Sequence, residues 1–232
     1  MKSLVMCLMV AVLAMPPQAF AAIGCTLSNP SEDLKYLYPE MTTYKEDLNE
    51  LPRIKNGAEL FSALRERLGS DLDPIYETFE TPYTVYSVFK GESKIGVVHG
   101  VNVPGKGGVI QVFLSMAPQT AAIRKFFFQR LESPAARQLR SKEFLSQFEG
   151  LTLGDFYKHD YYVTVDPGAK ADKVAAIQPP AFDPSGRPDY EASLRGIRKN
   201  LILIDFFVYG KKFEPYFERA KQAAEKAKAR KE

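Results

Sequence analysis

Few residues in this chain are of types that do chemistry, and fewer stand at a spacing that would let them act together. His99 and His159, with Cys25, cannot complete a usual structural zinc site. There is no Cys-x-x-Cys-His for haem attachment, no Gly-x-x-x-x-Gly-Lys-Ser/Thr phosphate loop and no Gly-x-Ser-x-Gly elbow. His99, between Val98 and Gly100, reads as a structural histidine with satisfied hydrogen bonds; a proton or redox role is the functional alternative. His159, beside Asp160 and two tyrosines, reads the same way. Asp205 sits in an apolar helical stretch, as a helix-face carboxylate with a hydrogen-bond partner or as a buried catalytic acid. Gly105-Lys106-Gly107-Gly108 is a hairpin turn or a cofactor cradle. Because it precedes a strand, no helix amino terminus follows it to take a phosphate. Glu132-Ser133-Pro134 reads as a strand exit into a helix, with Pro134 at the first helical position, and Gln147-Phe148 as a packed helix end. No acid–base pair stands out, so no catalytic residue and no hydrolytic or isomerising reaction is assigned.

The elements that must position these residues change character along the chain. Residues 22–56 form a lead-in with a short helix around Asp33 to Tyr38, ended by Pro39. Asn56 and Glu59 have the spacing of a capping box for a helix whose buried stripe is Leu60, Phe61, Leu64 and Leu68, closed by Gly69. From Tyr83 the period becomes extended. Tyr83 to Phe89, Ile95 to Val103, Val109 to Ser115 and Ile123 to Leu131 are four strands joined by short turns. That order predicts an α+β fold: an antiparallel meander of about four or more strands packed with helices. Short helical pieces follow to Phe148, then an irregular connection from Pro167 to Pro188. Tyr190, Leu194, Ile197, Leu201, Ile204 and Val208 predict a helix whose second half is buried against the sheet. Residues 57–209 are thus a single domain.

Composition bounds the rest. A chain of 232 residues, 45% apolar and 25% charged with a net charge of +3, is not disordered, collagen-like or a disulfide scaffold. Lys2, the apolar run from Leu4 to Met15 and Ala19-Phe20-Ala21 have the pattern of a signal peptide over residues 1–21, which places the protein in the periplasm or another extracytoplasmic space. Ala22-Ile23-Gly24-Cys25 offers the alternative of a lipoprotein box with a lipidated Cys25. The tail, residues 210–232, carries eight basic and four acidic residues and predicts a solvated helix that could touch anionic lipid or an acidic partner. Nucleic acid is not an expected partner for an exported chain with this balance.

Several motifs in register carry a resemblance. Tyr36-Leu37-Tyr38-Pro39-Glu40, Gly105-Lys106-Gly107-Gly108-Val109-Ile110, Glu132-Ser133-Pro134-Ala135-Ala136 and Phe144-Leu145-Ser146-Gln147-Phe148-Glu149-Gly150 stand in the order and spacing of a known family. Over roughly residues 34–205 the chain resembles the FMN-binding domain of the periplasmic subunits of Rnf and Nqr electron-transport complexes. The resemblance implies an FMN-binding-domain-like fold and FMN contacts at Gly107, Gly108, Glu132, Ser133, Pro134, Gln147 and Phe148. Phe148 would stack on the flavin, and Ser133 and Gln147 would give polar contacts. A membrane or periplasmic redox protein would be the partner. The family attaches FMN through a threonine in a Ser-Gly-Ala-Thr motif, and the corresponding stretch here, Val174 to Ala181, has none, so any FMN would be non-covalent. The family's two glycines after the Glu-Thr-Pro are here Ala135 and Ala136, whose β-carbons obstruct close approach. The alternative is a non-catalytic periplasmic binding or assembly module that kept the fold without flavin, its basic tail or Cys25 facing a partner. A small-ligand carrier without redox chemistry is a third.

Overall fold

The computed structural model describes residues 25–73, 77–158, 174 and 176–230. Residues 1–21, read above as a signal peptide, and His159 lie outside the described residues. Five strands form one antiparallel sheet in chain order: β1 Thr43–Glu50, β2 Pro82–Lys90, β3 Ser93–Gly105, β4 Gly108–Met116 and β5 Ile123–Arg130. The α+β meander is therefore as expected, with one strand more than the four read from the sequence. That strand, β1, comes from the lead-in, and its sequence Thr-Tyr-Lys-Glu-Asp-Leu-Asn-Glu carries too much charge to announce a strand. It is an edge strand paired with β2 along its whole length, Thr43 opposite Phe89 and Glu50 opposite Pro82. Charge on an edge strand discourages further pairing, which is why such a composition suits the place.

The central strands are apolar almost throughout because both faces of the sheet are covered. On one face Val85, Val97, Val101, Val103, Val112, Leu114, Phe126 and Phe128 join the main core. On the other, Tyr86, Val88, Val98 and Phe113 pack with Leu34, Leu37 and Tyr38. These last three belong to or follow helix α1, Pro30–Leu37, which starts with Pro30 in the first turn and Asn29 accepting from the Glu32 amide. Tyr38 pins this layer down. Its hydroxyl bonds Ser115 Oγ at 2.7 Å, and its ring lies where a β-carbon on Gly96 would sit 2.1 Å away.

Helix α2, Gly57–Leu68, follows the lead-in. Its start differs from the capping box read in the sequence: Asn56 has φ 60°, in the left-handed region, and its side chain makes no capping bond. Its carbonyl takes the Leu60 amide instead. Of the expected stripe, Leu64 and Leu68 are fully buried, Leu60 and Phe61 partly. Short helices α3 Ala136–Leu139, α4 Lys142–Leu145 and α5 Leu153–Phe156 follow β5. Helix α6, Arg187–Phe207, then lies across β3 and β4, its second half buried as expected.

Asn200 docks α6 on the sheet. Its Nδ2 donates to the His99 and Val112 carbonyls at 2.9 and 3.0 Å, and its Oδ1 faces His99 Nδ1 at 2.8 Å. Two carbonyls fix which way the amide points, so Oδ1 accepts and the network assigns the His99 proton to Nδ1. Burial holds the imidazole pKa down at about 4 against the Asn200 bond, and the Lys199 charge lowers it further. His99 is thus the satisfied structural histidine expected from its strand context.

Helix α7, Glu214–Ala229, is the basic tail. The expected solvation holds from residue 221 to 226, all exposed, but not for its first turns. Phe213 is buried, and Arg67 of α2, between the Phe206 and Phe217 rings, pairs with Glu214 and lies 3.8 Å from Asp205. Asp205 accepts from the Phe213 amide at 3.3 Å. It is therefore the helix-face carboxylate with a partner, not an acid facing a cleft. Burial raises its pKa to about 6, against the Phe213 bond and the Arg67 charge.

These two buried groups oppose each other in pH. The His99 contribution is complete above its ordinary pKa of 6.5 and is lost as pH falls from there towards 4. A carboxyl raised from 3.8 to about 6 contributes most at low pH and loses this as pH rises through 6. At about 1.4 kcal/mol per pKa unit, each amounts to about 3 kcal/mol, so in the wild type they largely offset between pH 4.5 and 6.5. Asp205→Asn keeps an acceptor for Phe213 and removes the compensation. Its stability, by urea melts across this range, should fall more steeply on acidification than that of the wild type. A shallower fall would contradict the assignment.

Candidate functional site

The seven expected cofactor residues fall into two groups. Gly107 and Gly108 sit at the tip of the β3–β4 hairpin, where Gly105 pairs with Gly108 across a two-residue turn. Gly108 has φ 131°, which only glycine takes easily. The tip approaches protein, not open space: a β-carbon on Gly107 would lie 2.0 Å from the Glu132 carbonyl oxygen. The Glu132 carboxylate is itself held by Arg130 at 2.8 Å. Ser133 Oγ accepts from the Ala135 amide at 3.1 Å, which makes the turn that starts α3. Pro134 lies inside that turn, two residues ahead of the helix, and not at its first position as the sequence suggested. The serine hydroxyl and the Ser133 carbonyl have taken over the start of the helix.

Gln147 and Phe148 form the second group. Phe148 is fully buried, with its ring edge-to-face against Phe126 at 5.0 Å and Phe144 at 5.3 Å. No face of its ring is exposed in this structure. The cause is its place in the aromatic cluster beneath β5. Gln147 is engaged at both ends of its amide, donating to the Gln178 carbonyl at 3.1 Å and accepting from the Gln178 amide at 2.7 Å. Ala135 is also fully buried, and its β-carbon packs where Gly186 leaves room at the start of α6. Ala135 is therefore a packing residue.

An open cleft of about 440 Å³ is lined by Arg137, Gln138, Ser141, Glu143, Pro180 and Ala181. None of the seven expected residues lines it. It nevertheless joins two separate stretches of the chain: the segment just after Glu132-Ser133-Pro134 and the segment at Pro180-Ala181. Gln138, one of its lining residues, has an Oε1 that is buried and without a hydrogen-bond partner among the described residues. A buried acceptor left unpaired costs about 1–3 kcal/mol, so the side chain gains by turning towards a donor that a ligand or water supplies. Ser141 accepts from the Phe144 amide and keeps its hydroxyl proton free to donate. Arg137 is exposed and offers a guanidinium fork, and Pro180 with Ala181 supply an apolar wall. Nothing in its sequence context marks Gln138: a glutamine in a short helix is unremarkable until its surroundings are known.

Cys25 is buried among Leu27, Leu34, Tyr86 and their neighbours, and burial pushes its thiol up to about 12. Its sulfur is packed in the second core and is not presented to a partner. Among the described residues no group of three or more His, Cys, Asp or Glu could hold a metal ion, and no helix is long and apolar enough to cross a membrane.

The reading of Gly107 as a packing glycine has a direct check. Gly107→Ala must push the hairpin tip off the Glu132 backbone, and overpacking of this kind costs about 1–3 kcal/mol. The variant should melt several degrees below the wild type in thermal denaturation; an unchanged melting temperature would show that the tip is free.

No family model matches the chain, and no curated protein matches it. Among solved structures it is similar to NqrC of Shewanella oneidensis, with 16% identity over 87% of this chain and 93% of that one, at a TM-score of 0.46. A likeness that loose carries no argument about function, which rests on the site itself.

Proposed function

We propose that the chain is an exported FMN-binding-domain-like protein that holds FMN non-covalently in the cleft between α3–α4 and residues 180–181 and serves electron transfer. The observation that carries this reading is Gln138, which lines the cleft and whose buried Oε1 has no hydrogen-bond partner among the described residues. An acceptor of this kind suits an imide N–H such as that of the flavin ring. The cleft volume of about 440 Å³ falls within the roughly 300–1,000 Å³ of small-molecule sites. Arg137 would take the phosphate, Ser141 would donate a hydrogen bond, and Pro180 and Ala181 would lie against the ring. Glu143 confines the anionic end of the ligand to the Arg137 side by repulsion. A bound flavin would supply one- and two-electron transfer, while the protein's part is to bind, orient and exclude water. A membrane or periplasmic redox protein is the matching partner.

A second reading has its own support. The buried Phe148 and the engaged Gln147 remove two expected flavin contacts, as a binding or assembly module without flavin would allow.

Equilibrium titration with FMN separates the two. The flavin reading predicts saturable binding by flavin fluorescence. A charge-assisted bond is worth about 1.5–3 kcal/mol, so Arg137→Ala should weaken affinity about tenfold or more. Protein that arrives colourless and refuses added FMN would leave the assembly module.

A further inference from the structure

The wall formed by Pro180 and Ala181 belongs to no helix or strand, yet the cleft exists only if that wall stays in place. In the stretch Ile177-Gln178-Pro179-Pro180, neither proline has an amide proton, so Gln178 offers the last backbone donor before Ala181. That donor goes to Gln147 Oε1 at 2.7 Å, and Gln147 Nε2 returns a bond to the Gln178 carbonyl at 3.1 Å. One side chain thus reproduces the paired bonds of a strand partner across 31 residues of sequence. The base of this clamp is rigid, because Phe148 beside it is fully buried. Beyond the clamp, two prolines fix φ and push Gln178 towards an extended backbone, so the chain to Ala181 is stiff. Its far end is tied down by Phe182, whose ring lies 5.7 Å from that of Tyr190 on α6. A stiff segment anchored at both ends transmits the position of its anchors.

We propose that Gln147 is a positioning residue for the cleft: its two bonds to the Gln178 backbone set where the Pro180–Ala181 wall stands, and so how tightly a planar ligand is held. This rests on the cleft being the flavin site. It gives Gln147 a role different from the direct contact that the resemblance implied, and that shift of role follows from both ends of its amide being engaged.

The test compares Gln147→Met, which keeps the volume and drops both bonds, with Gln147→Glu, which keeps only the acceptor. Amide exchange of Gln178 is followed by NMR in ligand-free protein, with the Ala181 amide resonance as a reporter of the wall and an FMN titration alongside. Loss of the clamp in Gln147→Met should speed Gln178 exchange about tenfold and move the Ala181 resonance, with Gln147→Glu intermediate. FMN affinity should fall about fivefold, because a displaced wall must be ordered on binding, while the melting temperature stays close to that of the wild type. Unchanged Gln178 exchange, or an unmoved Ala181 resonance, overturns the proposal. So does faster exchange with unchanged FMN affinity. If the wild type itself refuses FMN, the flavin reading falls, and the exchange and resonance data alone decide whether Gln147 positions the wall.

Discussion

The contact of Asn200 with the sheet is the constraint on which the rest of the structure depends. A long helix laid over β3 and β4 could slide along an apolar surface, since burial of side chains is non-directional. Three hydrogen bonds from one buried amide remove that freedom: the His99 and Val112 carbonyls fix its height, and the His99 ring fixes its rotation. Once α6 is placed, other close approaches follow. Gly196 lies close against Val103 and Val112, where a β-carbon would sit 3.1 Å from Val112, and Gly186 meets Ala135. The buried Asp189 near the start of the same helix accepts from the Lys106 amide and holds the β3–β4 hairpin tip. The far end of the helix carries Asp205 and receives α7.

The cleft is a consequence of this docking. Helix α6 brings the chain that precedes it, residues 176–186, back alongside the α3–α4 pair. Neither side alone makes a cavity. The polar groups that line it come from short helices whose ends are capped locally, by Ser133 and Ser141, so their side chains are available for a ligand. Gly107 lets the hairpin tip close against the Glu132 backbone.

How much of this was legible in the sequence depended on whether a signal was local. Strands β2 to β5 and α6 announced themselves because both faces of the sheet and half of the helix are buried, which leaves long apolar runs. His99 and Asp205 were readable as structural groups from their apolar neighbours. Strand β1 was not, since an edge strand is held by backbone pairing and its side chains can be charged. Asn56 and Glu59 had the right spacing for a cap, but the left-handed backbone at Asn56 turns its side chain away. For the site, the motif order led to the stretches of chain that flank the cleft, while none of the seven expected residues lines it. Phe148 and Gln147 are consumed by packing and by the backbone of Gln178, and the cleft is lined by residues one turn away from the motifs. Which side chain of a motif faces solvent is decided by tertiary packing, which a spacing cannot report.

The central claim is that a flavin occupies this cleft and no other surface. Its most direct measurement is chemical-shift mapping of the labelled protein as FMN is added. The account predicts that the largest perturbations fall on the Gln138 side-chain amide and on the backbone amides of Ser141 and Ala181. The hairpin tip at Gly107 and the buried cluster around Phe148 should remain still. Perturbations centred on the hairpin tip, or none at saturating FMN, would contradict it.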